Sequence, residues 1–122
     1  MEAATNEKAM RGIERFLERR GMKIIEAGWA HGNDRVDFIA DDDGELVFIS
    51  CTIRVNDGSG LGSEQVNRKA FERVAAAYLA EHLDIPEGAV RHDVVSMLVL
   101  SDSKALIRHH LNALSEASND LG

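Results

Sequence analysis

Four basic side chains are spaced to meet phosphate. Lys69 and Arg73 stand four residues apart with Arg68 beside them, so on a helix Lys69 and Arg73 share one side. With Arg54 they form the set best suited to phosphate contacts with nucleic acid. A solvated helix face would use the same residues. Arg11, Arg15 and Arg19 form a second basic row, with Arg20 adjoining it, and ordinary solubility accounts for that row equally well. Ser50 and Thr52 lie two apart within an apolar run, so on a strand both point the same way as Leu46 and Phe48. Cys51 between them points the other way with Val47 and Ile49. It reads as a small core residue, because no histidine is placed by sequence to activate it. Trp29 is suited to core packing or, if exposed, to stacking on a base.

Other patterns carry less chemistry. Asp41-Asp42-Asp43-Gly44 is a turn, since it lacks the twelve-residue calcium pattern and its terminal Glu. Gly58 to Gly62 holds three glycines but no following Gly-Lys-Ser/Thr, so it is a connector and not a phosphate loop. His109 and His110 are adjacent on an expected helix, where neighbours do not share a face. The formal charge of −7 argues against a generally basic nucleic-acid binder. The acidity is concentrated: residues 24–61 carry two Lys/Arg against eight Asp/Glu, whereas residues 1–23 carry six against four. A metal site could use those carboxylates. The single cysteine excludes an internal disulfide and a cysteine-based zinc site. No apolar run is long enough to span a membrane, and the charged start has no apolar signal-like region. A cytoplasmic location is therefore expected.

These residues need elements to position them. Asn6 to Arg20 has Ala9, Ile13, Phe16 and Leu17 at helical spacing, closed by Gly21. Met22 to Ala27 reads as a strand, and His31-Gly32-Asn33-Asp34 as a turn. In Arg35 to Ala40 the alternation places Val36, Phe38 and Ala40 on one face and Asp37 and Ile39 on the other. Glu45 to Arg54 is a central strand. Ser63 to His82 is a helix with Val66, Ala70, Val74, Ala77 and Tyr78 inward. A turn surrounds Pro86, and Ala89 to Leu100 is a further strand. Ser101-Asp102-Ser103 then caps a last helix bearing Leu106, Ile107, Leu111 and Leu114. The expected order is α-β-β-β-α-β-α: an α/β fold with a mixed four-stranded sheet flanked by helices. Its third and fourth strands run parallel through the long helical crossover. One domain over residues 1–122 is expected, with a core at about 6–114 and a polar tail at 115–122.

This order, with five short patterns, resembles the YraN family of small endonuclease-like proteins, which have the PD-(D/E)XK, restriction-endonuclease-like fold. Phe16-Leu17 followed by Gly21-Met22-Lys23-Ile24-Ile25 is similar to the family's opening. Val36-Asp37-Phe38-Ile39-Ala40 resembles its "IDLIA" strand, and Leu46 to Arg54 its "LVFVEVKxR" strand. Val66, Lys69 and Ala76 to Leu79 match the following helix, and Arg91 to Val95 its "RFDVV" strand. The resemblance implies a Mg²⁺ site built from an Asp, a Glu and a Lys that serves the attacking water. Asp37 stands at the Asp position. Ser50 replaces the Glu and Thr52 the Lys, while Met10 and Arg35 stand at two further acidic positions. Asp37 is thus a catalytic remnant and the one candidate metal ligand.

The resemblance with that replacement implies a nuclease-like domain without catalysis, retained for nucleic-acid binding or scaffolding in DNA processing. No cofactor is then expected, and Mg²⁺ or Mn²⁺ enters only if the site is active. An alternative is a protein-interaction or homodimerisation module with a protein partner and no DNA. A further alternative is an active metal-dependent endonuclease whose ligands have moved, to Glu14, Glu64 or Glu72. Glu45 is excluded from that role because odd spacing points it away from Ser50.

Overall fold

The computed structural model describes residues 3–56, 67–85 and 90–113. Helix α1 (Ala3–Arg19) is followed by strands β1 (Lys23–His31), β2 (Asp34–Asp42) and β3 (Glu45–Val55). Helix α2 (Arg68–Glu81) and strands β4 (Val90–Ser101) and β5 (Lys104–His110) complete the order. The expected loop at 58–62, Glu64, Val66, the Pro86 turn and the tail at 115–122 lie outside the described residues. The sheet runs β1-β2-β3-β4-β5 in space, with β3 and β4 parallel and the other neighbours antiparallel. The α/β class, the mixed sheet and the parallel crossover are as expected from the sequence.

Local chemistry sets the turns. Gly21, at φ +95°, closes α1: its N–H donates to Glu18 O and the Met22 N–H to Leu17 O. Asp43 and Gly44 both have positive φ between β2 and β3, and Gly44 N–H donates to Asp41 Oδ1 at 2.8 Å. Asn67 caps α2 by accepting from Ala70 N–H at 3.0 Å.

The sheet divides the core in two. On one face α1 lays Ala9, Ile13 and Leu17 against Phe38, Ala40, Val47, Ile49, Val95 and Met97. On the other, α2 packs Val74, Ala75 and Tyr78 against Val36, Ile39, Leu46 and Phe48. Trp29 is half-buried at that second cluster, edge-on to Tyr78 with ring centres 5.2 Å apart, so it is a packing residue.

Two expectations are corrected. The final segment is a strand, not a helix. Ser101-Asp102-Ser103 forms a hairpin turn, and β5 pairs along β4 from Ser101↔Lys104 to Val94↔His110. Its apolar spacing suits either structure locally, but β4 is buried on both faces and its open edge requires a backbone partner. Ile107 and His109 then turn to the α1 side. The second correction concerns β2. Val36 packs towards α2, opposite to Phe38 and Ala40, so strict alternation fails at Asp37. The reason is that pairing with β3 begins only at Phe38↔Ile49; before that, β2 pairs with β1 alone.

Candidate functional site

Strand β3 sends Phe48, Ser50 and Thr52 towards α2, as their alternate spacing requires, and Cys51 towards α1. Ser50 and Thr52 line a half-open cavity of ≈ 140 Å³ together with Arg35, Asn67, Phe71 and His92. The N-terminus of α2 closes one side of it. His92 is only 5% exposed. Its Nε2 and Ser50 Oγ share a hydrogen bond of 2.9 Å, and its ring stacks on Phe71 at 4.7 Å between centres. Burial pushes the imidazole down to about 4, against a smaller opposing pull from the Asp93 carboxylate. The ring is neutral at pH 7. Among the described residues its Nδ1 has no hydrogen-bond partner, nor does the buried Ser96 Oγ; Ser96 stands beside Thr52 in the parallel register.

Asp37 is engaged within the fold. Its Oδ2 accepts from Cys51 N–H at 2.7 Å and its Oδ1 from Arg35 at 3.1 Å. The carboxylate supplies the acceptor that β2 withholds from β3 just past Phe38↔Ile49. Cys51 packs against the α1-side core, and burial, with Asp37 nearby, pushes its thiol far up. It is not poised as a nucleophile.

The basic set is only partly assembled. Arg54 is exposed at the far end of β3, and Arg68 and Lys69 are exposed on the first turn of α2. Arg73 is differently placed: it grips Asp34 with Nε at 2.7 Å and Nη2 at 2.9 Å. That two-point pairing holds the β1–β2 hairpin to α2, so Arg73 leaves the phosphate-contact set. Glu14 lies on α1, across the sheet from Ser50 and Thr52, and Glu72 is exposed on α2. Among the described residues, no three His, Cys, Asp or Glu side chains converge to hold a metal ion.

A second polar cluster, on the α1 face, was missed by sequence reasoning. Arg91 donates to Asp93 through Nε at 2.9 Å and Nη2 at 3.0 Å, to Glu45 at 3.0 Å and to Asp42 at 2.8 Å. Asp93 is fully buried and also accepts from His109 Nε2 and Asn112 N–H, each at 2.8 Å. Burial acts to raise the Asp93 pKa; the bonds from His109, Arg91 and Asn112 outweigh it, and the carboxyl lies below its ordinary value. His109 is therefore a structural partner on β5, and not part of a helical pair with His110. The available signal was Arg91-x-Asp93: two opposite charges sharing one face of an apolar strand must be paired if buried.

The sequence matches the uncharacterised protein family UPF0102 over residues 11–97. The chain belongs to this family. A UPF0102 protein of Roseiflexus castenholzii is 33% identical over 108 residues, 84% of this chain and 86% of the relative. One from Beutenbergia cavernae is 34% identical over 98 residues, 78% of this chain and 82% of the relative. One from Chlorobaculum tepidum is 35% identical over 99 residues, 79% and 76% of the respective lengths. The family assignment agrees with the YraN resemblance. No described helix of this UPF0102 chain is long and apolar enough to cross a membrane.

Proposed function

We propose that this UPF0102 chain is a cytoplasmic nuclease-like domain that has lost metal-dependent cleavage and holds nucleic acid through its phosphates. One observation carries the reading. At the β3 positions where the resemblance calls for Glu and Lys, Ser50 is bonded to a neutral His92, and Thr52 lines the same cavity. Neither a hydroxyl nor a neutral imidazole offers the charged hard oxygens that Mg²⁺ prefers. Asp37 is committed to Cys51 and Arg35. Arg35 of β2 lines this neutral pocket, Arg68 and Lys69 are exposed on the first turn of α2, and Arg54 is exposed near the end of β3. Their guanidinium and ammonium groups are the cations offered to phosphate oxygens on this side of the sheet, Arg35 being shared with Asp37.

Anisotropy of labelled single-stranded, duplex and branched DNA tests this at low salt, with and without Mg²⁺. Binding on the order of micromolar, weakening steeply with salt, is expected. Lys69→Glu combined with Arg54→Glu should weaken it about tenfold or more, and neither Mg²⁺ nor Mn²⁺ should give cleavage. No binding to any form would refute the reading. A homodimerisation module is the second reading, favoured by β5 as an edge strand among the described residues, with Leu106 and Leu100 exposed. Sedimentation over a concentration series distinguishes it.

A further inference from the structure

A cavity of ≈ 410 Å³ lies on the α1 face, across the sheet from Ser50 and Thr52. Part of α1 forms one wall and the β4–β5 hairpin the other. Its floor is aliphatic: Ala9 and Met97 are buried, and Val99 pairs with Ala105 beside them. Small-molecule sites begin at roughly 300 Å³, so the space holds one small apolar body and little more.

Two observations bear on what fills it. The first is Gly12, which lines the cavity from the interior of α1. It is not among the glycines with positive φ. A Cβ added there would meet Met97 Cε at 3.6 Å, an ordinary contact. Neither the backbone nor the packing calls for glycine, and glycine inside a helix is less stable than alanine. What its missing side chain does is leave room above Met97. The second observation is charge at the mouth. Lys8 Nζ donates to Asp102 O at 2.6 Å, which ties α1 to the hairpin turn and keeps the ammonium beside the opening. An ammonium has three donors, and this bond takes one. Lys104 lines the same cavity and is exposed. Among the described lining residues these two cations stand against one carboxylate, that of Asp102. An aliphatic floor under an excess of ammonium groups matches a chain that ends in an anion.

We infer that this cavity binds a small aliphatic monocarboxylate, its chain on Ala9, Met97 and Val99 in the room left by Gly12, its carboxylate at Lys8 and Lys104. The nucleic-acid reading rests on the opposite face of the sheet and is independent of this one.

The test follows amide NMR shifts of the full chain during titration with octanoate and with octanol, which share a chain length and differ in charge. Saturable shifts at Gly12, Met97, Val99 and Ala105 are expected, with a Kd on the order of 0.1 mM for octanoate. Octanol should bind about threefold or more weakly, the size of a solvated ion pair. Lys8→Gln with Lys104→Gln should bring the two ligands to about equal affinity. Gly12→Ala should raise the urea midpoint yet weaken octanoate, and Gly12→Leu should weaken it further by filling the space. Absence of saturable shifts at these residues overturns the site. Octanol as tight as octanoate overturns the anionic ligand, and unchanged octanoate affinity in Gly12→Ala overturns the role given to Gly12. The two wild-type titrations need no variant, so a misfolded Gly12→Leu does not blunt the test.

Discussion

Replacing Asp93 by Ala should be among the most damaging single changes in the molecule. The wild-type carboxylate is fully buried and accepts four hydrogen bonds, two of them from the Arg91 guanidinium. Its removal strands His109 Nε2 and the Asn112 N–H, and leaves Arg91, only 8% exposed, to its remaining partners Asp42 and Glu45. Breaking a buried ion pair from one side costs about 3–5 kcal/mol. The two surviving partners of Arg91 moderate this towards about 3 kcal/mol. A domain of this size has about 5–15 kcal/mol in total, so the loss is a large fraction. Urea unfolding followed by circular dichroism measures it. With a slope of about 1–3 kcal/mol per molar urea, the midpoint should fall by roughly 1–3 M. Asp42→Ala is the control: its carboxylate is partly solvated, and the expected loss is about 1 kcal/mol or less. Equal losses for the two variants, or less than about 1 kcal/mol for Asp93→Ala, would refute the placement of Asp93 at the centre of this network. The pH dependence has a definite sign. The native Asp93 pKa is lowered, so the unfolded chain takes up the proton first as pH falls. Its contribution is full above about pH 4 and is lost progressively below that.

His92 gives a second pH signature. Its pKa falls from 6.5 to about 4 on folding, so the unfolded state binds this proton first and stability declines as pH drops from about 6.5 to about 4. The decline can reach about 1.4 kcal/mol per pH unit. His92→Phe keeps the ring stacked on Phe71 and should flatten this part of the stability–pH curve; an unchanged slope by urea titration at several pH values would place the titration elsewhere. Cys51 should react with a thiol reagent at pH 8 at least about tenfold more slowly in the native protein than in denaturant, because burial holds it protonated. Equal rates, read by absorbance, would show that the thiol is open to solvent.

Much of the frame was legible locally. The α1 stripe of Ala9, Ile13 and Leu17, the Gly21 cap, the Asp43-Gly44 turn and the alternation of Ser50, Cys51 and Thr52 follow from periods and dihedral preferences that act over a few residues. The family patterns added the order of the strands. The last element was not legible, because Leu106, Ile107 and Leu111 satisfy helical spacing as well as a strand, and only the open edge of β4 selects between them.

The sequence by itself determined the α/β class, the parallel crossover and the placing of Ser50 and Thr52 on one face of β3. Tertiary structure alone decided the fate of the charges. It gave Arg73 to Asp34, Asp37 to the Cys51 N–H, and Arg91 and His109 to Asp93, and it set His92 against Ser50. The physical reason is range. Periodicity and turn chemistry are set by near neighbours, whereas a buried polar group is matched by whichever partner the packed sheet brings within about 3 Å, however distant in the chain.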